Sequence, residues 1–163
     1  MVVDFVIHRA PTYRVATRTL VGSYPSDRRI RAEFETIAAW ARKSGVKTGR
    51  WFFRELDGPE TPSKRRRWEF GIEIRSRRAV RGEKGLSRKV FPATTVASVR
   101  FNPDKVSPML VYHGLEGWLW WRKKYKEFRE SGIWREVYVG NPWKSKRAWV
   151  NTEVQVPVKR LSR

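Results

Sequence analysis

The sequence predicts an α+β fold in which a strand-helix-strand-strand unit occurs twice. Three observations predict it: landmark residues recur at a nearly constant offset, several segments alternate apolar and polar residues, and two others repeat with helical period. Pro11, Val15, Ala16 and Thr17 recur as Pro92, Val96, Ala97 and Ser98, an offset of 81 (92 − 11 = 81). Arg66 and Trp68 recur as Arg147 and Trp149 at the same offset. Arg42, Ser44 and Gly45 recur as Arg129, Ser131 and Gly132, an offset of 87 (129 − 42 = 87). The larger offset implies a longer helix or an extra loop in the second copy, compensated by a shorter hairpin.

Each element has a local reason. Tyr13 to Val21 alternates and is rich in Val and Thr, which fits a half-buried strand. Gly22 and Pro25 break it, and Ser26 or Asp27 can cap the helix that follows. Ile30, Phe34, Ile37 and Ala41 then make one apolar helix face. Ser44-Gly45 ends that helix, with Gly45 as a left-handed cap. Trp51 to Leu56 and Trp68 to Arg75 are strands, separated by the turn begun at Asp57-Gly58-Pro59. In the second copy, Val90 to Phe101 is a strand and Asn102-Pro103-Asp104 breaks it. A long helix carries Leu115, Trp118, Leu119, Tyr125 and Phe128 as far as Gly132, and most of the Trp118-Leu119-Trp120-Trp121 rings belong in the core. Trp134 to Val139 and Ala148 to Val156 close the copy. The expected organisation is one domain over 1–163, with repeat 1 at about 3–76, a charged Gly-containing linker at about 77–88, and repeat 2 at about 89–159. Two such copies make a pseudo-twofold antiparallel sheet with both helices on one face. The opposite face, or the groove between the copies, is then open to a ligand.

Composition narrows the functional classes. The chain has 163 residues and 40% hydrophobic content with nine Trp, enough for a core. It has no cysteine, so disulfide and thiolate chemistry are out. His8 and His113 show no ligand spacing, so no metal site and no cofactor is expected. Met1-Val2-Val3-Asp4-Phe5 has no signal-peptide pattern and no apolar run is long enough to span a bilayer, so the expected compartment is the cytoplasm. Heavy Arg and Trp use without Cys fits a thermophile. Lys and Arg number 36 against 16 Asp and Glu, a net charge of +20. Residues 64–89 are the densest stretch, with net +8. Within them Lys64, Arg65, Arg66 and Arg67 read either as a phosphate clamp giving weak nonspecific nucleic-acid binding or as a solvated hairpin tip.

Against this basic background Glu136 stands in a segment of strand character, Trp134 to Val139. An unpaired carboxylate among aromatics is costly to bury. It can anchor a cationic or hydrogen-bond-donating ligand, serve as a general base, or be neutralised by an arginine such as Arg135 or Arg50.

Several motifs resemble the GyrI-like small-molecule-binding domain, the effector-binding domain of AraC- and MerR-type transcription regulators that also occurs free-standing. They are Ala10-Pro11-Thr12-Tyr13-Arg14-Val15-Ala16 and Gly22-Ser23-Tyr24 in the first copy. In the second they are Pro92 to Ala97, Tyr112 with Leu115 and Trp118-Leu119, Glu136-Val137-Tyr138, and Val156-Pro157-Val158-Lys159. The resemblance spans about 5–159. It implies a ligand groove between the copies and a central carboxylate that maps onto Glu136. Tyr138 shares that carboxylate's face of its strand, Trp51 and Phe53 stand on the comparable strand of the first copy, and Tyr112 lines the same groove. The family's turn after the second-copy strand is replaced here by Phe101-Asn102-Pro103-Asp104-Lys105. No helix-turn-helix precedes the first strand, so a free-standing small-molecule binder for an amphipathic, aromatic or cationic ligand is expected rather than a DNA reader. The alternatives are a hydrolase of reactive small molecules using Glu136, as the resemblance implies for some members, and a basic nucleic-acid or partner-protein binder.

Overall fold

Two helices of equal length carry the duplication in the structure. They are α1 (Asp27–Lys43) and α2 (Pro108–Lys124), with starts 81 residues apart (108 − 27 = 81). The computed structural model describes residues 3–77 and 81–162; the linker residues 78–80 lie outside them. The strands are β1 (Phe5–Ala10), β2 (Tyr13–Val21), β3 (Thr48–Glu55), β4 (Arg67–Ile74), β5 (Ser87–Phe91), β6 (Thr94–Phe101), β7 (Phe128–Glu130), β8 (Arg135–Tyr138) and β9 (Thr152–Arg160). A 3-10 turn spans Ser63–Arg65, and a short helix α3 spans Lys146–Val150. The fold is α+β, and the strand pairings described below are antiparallel.

The chain forms two compact units. One runs from Thr12 to Pro92; the other, split in sequence, joins the residues up to Pro11 with those from Ala93 onward. Each leading strand is therefore separated from its own copy. β1 pairs with β6, while β5 pairs with β2. The single Val90–Phe101 strand expected from sequence is two strands, because Pro92-Ala93 interrupts it and Pro lacks the N–H a ladder needs.

In the 12–92 unit the sheet order is β3-β4-β2-β5. Ser26 caps α1, its hydroxyl accepting from Arg29 N at 3.2 Å. Ile30, Phe34, Ile37 and Ala41 are the buried stripe, as the period of four and three requires. Phe34 stacks on Trp51 (5.0 Å) and meets Phe70 edge-on (5.4 Å). Phe52 points to the other face, against Tyr13 and Phe91. Glu69 is on that face too, 1% exposed, accepting from Arg54 Nε at 2.6 Å and from the Lys89 ammonium.

In the split unit the order is β1-β6-β9-β8, with β7 also paired to β9. Val111, Leu115 and Leu119 of α2 seat on Ala97, Val99, Phe101, Val154, Val156 and Val158. The phase of that stripe corrects the expectation for the tryptophans. Trp118, one residue before Leu119, packs against the core and Phe5, but Trp120 and Trp121 turn outward. Trp149, expected in a strand, lies in α3, and β9 begins only at Thr152.

The longer offset in the second copy is an insertion, not a longer helix. Lys126 stands 81 positions after Gly45, and both adopt the left-handed conformation, with φ of 56° and 65°. The helix ends there by the same device, and the chain then adds β7 before β8. Gly132 ends no helix; a Cβ there would come within 2.8 Å of Pro157 Cγ, so glycine lets this loop cross β9 closely. Because an L side chain at positive φ is strained by roughly 1 kcal/mol, Lys126→Gly is expected to raise stability by up to about 1 kcal/mol. Urea unfolding of the two proteins measures it, and a loss of stability contradicts it.

Candidate functional site

Strand parity decides which face of the split unit holds the carboxylate. Glu136 registers with Val154, which lies in the core beneath α2, so Glu136 is on the helix-bearing face of this sheet. Tyr138 shares its parity and is buried. Tyr112 is next to Val111 on α2, rotated by about 100° from the buried stripe, and is only half-buried.

These three side chains close on one another. Tyr112 Oη donates to Glu136 Oε1 at 2.8 Å, and Tyr138 Oη donates to Glu136 Oε2 at 2.5 Å. Trp134 stacks on Tyr112 with centroids 5.6 Å apart and donates its indole N–H to Glu130 Oε2 at 3.1 Å. A run of contacts therefore leads from Tyr138 through Glu136, Tyr112 and Trp134 to Glu130. Glu130 had no signal in the sequence, because its link depends on an indole four residues away in a different segment.

Neither arginine considered as a neutralising partner reaches Glu136. Arg135 has the opposite parity, is 5% exposed, and donates from Nε to Gln155 Oε1 at 2.9 Å. Arg50 lies 4.0 Å from Glu73 and over the Tyr13 ring. Among the described residues no basic side chain forms an ion pair with Glu136. The carboxylate is held by two neutral hydroxyls, which leaves its charge available to a ligand.

Trp51 and Phe53 are buried in the 12–92 unit. Trp51 stacks on Phe34 of α1, and Phe53 sits against Phe70, Trp68 and the exposed Tyr24. Lys64 to Arg67 divide: Arg66 donates to Thr61 O and Pro59 O, and Arg67 forks onto Asp57. Those hydrogen bonds hold Asp57 below its ordinary pKa. Half of this basic run is thus employed in fixing the hairpin that bears it.

The other face of the split unit's sheet has a polar network. His8 Nε2 lies 3.0 Å from Ser98 Oγ and 3.3 Å from Glu153 Oε1, and Gln155 Nε2 donates to Glu153 at 2.9 Å. Burial pushes the Glu153 carboxyl up, but hydrogen bonds from Gln155 and Ser98, with Arg100 and His8, outweigh burial and leave it below its ordinary value. Both Ser98 and Glu153 meet the same imidazole nitrogen, so this is not the relay a nucleophilic serine needs. Among the described residues no group of His, Asp and Glu could hold a metal ion, and no helix is long and apolar enough to cross a membrane.

A twice-repeated α+β unit of this kind is the architecture of a small-molecule-binding domain. The family comparison agrees: residues 4–159 match the GyrI-like small molecule binding domain, and the chain belongs to that family. Among solved structures it is similar to the EcmrR C-terminal domain, with TM-score 0.74 and 18% identity, covering 99% of this chain and 100% of that one. It is likewise similar to EcmrR in a cryo-EM complex with DNA, with TM-score 0.75 and 19% identity over 98% of this chain, which spans only 58% of that one. SAV2435 bound to tetraphenylphosphonium shares the fold at TM-score 0.52 and 9% identity, over 96% of this chain and 94% of that one. At these identities the structural likeness speaks for the fold alone. No curated protein matches the chain.

Proposed function

We propose that the chain binds a lipophilic or aromatic cation, with Glu136 as its anchor. One observation carries the reading. In a chain with 36 basic residues, the Glu136 carboxylate has two tyrosine hydroxyls and, among the described residues, no protein cation. An organic cation supplies the missing charge. The Tyr112 and Trp134 rings offer π-faces that attract a cation and cover its apolar body. That a relative of the same fold, SAV2435, holds tetraphenylphosphonium supports this ligand class.

Titration with tetraphenylphosphonium, followed by quenching of Trp fluorescence, tests the reading. Glu136→Gln keeps the shape and one acceptor but removes the charge, so affinity is expected to fall about 10- to 100-fold, the scale of a charged hydrogen-bonded contact. Unchanged binding removes Glu136 as anchor. The same titration on Trp51→Phe and Phe53→Leu decides whether these two rings take part. Hydrolysis remains the alternative for this carboxylate, and turnover of labile esters that disappears in Glu136→Gln would establish it.

A further inference from the structure

The outer surface of α2 has aromatic rings that the fold does not use. Trp120, Trp121 and Tyr125 are 57%, 50% and 66% exposed, and each could have been a polar residue at no cost to the core. Their arrangement is ordered. Trp120 meets Trp121 edge-on at 5.0 Å, and Trp121 stacks on Tyr125 at 6.0 Å with planes 15° apart. The Lys124 ammonium lies 5.2 Å and 4.7 Å from the two indole centroids. Beside them opens a pocket of about 410 Å³ lined by Glu116, Leu119, Trp120, Lys123, Arg129 and Glu130. Lys159 and Arg160, opposite Arg129 and Phe128 in the β7–β9 pair, are exposed as well.

We propose that this aromatic and basic surface at the C-terminal end of α2 binds single-stranded nucleic acid. An apolar protein partner would be poorly served by Lys123, Lys124 and Arg129 beside the rings. A polyanion is served by them, and the net charge of +20 draws it in from a distance. Half-exposed indole and phenol rings add what a phosphate backbone alone does not need: surfaces for unpaired bases. The pocket has room for a base edge, with Trp120 on one side and the Glu116 and Glu130 carboxylates able to accept from exocyclic amines. A duplex keeps its bases stacked internally and would meet only the cations. This surface is distinct from the Lys64 to Arg67 run, and it touches the Glu136 site only where Glu130 accepts from Trp134.

The test is fluorescence anisotropy with a fluorescein-labelled 20-mer of deoxycytidine, whose bases carry an exocyclic amine, at several salt concentrations. Binding is expected to weaken with salt at a slope near −2 to −4 in log–log form, about three to five phosphates at roughly 0.7 per phosphate. The double variant Trp120→Ala/Trp121→Ala, both positions exposed, is expected to keep its melting temperature and lose about tenfold or more in affinity, because each stacked base is worth ~1–3 kcal/mol. Lys123→Glu/Lys124→Glu is expected to flatten the salt slope. Any of three results overturns the proposal: equal affinity of the double aromatic variant, equal or tighter binding of a 20-base-pair duplex, or capture by phosphatidylserine vesicles with no binding of the oligonucleotide.

Discussion

Phe34→Ala is expected to lower stability by about 4 kcal/mol, since truncating a buried aromatic ring costs ~3–5 kcal/mol through lost burial and the cavity left behind. Phe34 is completely buried, and it joins α1 to the sheet through Trp51 and Phe70. The gap cannot close cheaply: its walls are two more rings, and one of them, Phe70, is itself packed against Phe53 at 5.3 Å. For a chain of this size the melting temperature should fall by roughly 10 °C. Differential scanning calorimetry reads this directly. A fall below about 3 °C would mean that α1 docks by other contacts.

Glu69→Ala is expected to cost about 3 kcal/mol for a different reason. Glu69 is 1% exposed and holds Arg54 of β3 and Lys89 of β5 from its place on β4. Removing it leaves Arg54, already packed over the Phe91 ring at 4.3 Å, without its counter-charge in a mostly buried position. Lys89 is 41% exposed and can turn to water, which keeps the loss at the lower end of the range for a broken buried pair. β5 should loosen most, so amide exchange should quicken in Ser87–Phe91 before the rest of the unit. Replacing both partners, as Glu69→Met/Arg54→Met, should recover part of the loss; no recovery would show that the ion pair itself, not its unpaired remainder, carries the stability.

Where neighbours along the chain decide the structure, the sequence could be read. The β2 limits, the Ser26 cap, the α1 stripe and the Gly45 stop all rest on contacts within a few residues. The end of α2 could not be read, because Lys126 adopts a conformation whose usual sign is glycine, and the apolar period runs on to Phe128. The three-residue β7 exists only because β9 pairs with it. Glu136, Tyr138 and Tyr112 were legible as a group through strand parity and motif, and their mutual hydrogen bonds join them in the split unit. Glu69 was not legible. It is the most buried carboxylate of the 12–92 unit, yet its partners lie 15 and 20 residues away and look like surface charges in the sequence.

The exchanged leading strands set an order on the birth of the protein. β1 leaves the ribosome well before its partner β6, which starts at Thr94. At about 5–20 residues per second, Phe5 to Ala10 wait roughly 5–20 seconds for that partner. The 12–92 unit has all its strands by Phe91 and can close in the meantime. During that interval the nascent chain carries an unpaired strand, a point at which a chaperone or a neighbouring chain has its opportunity.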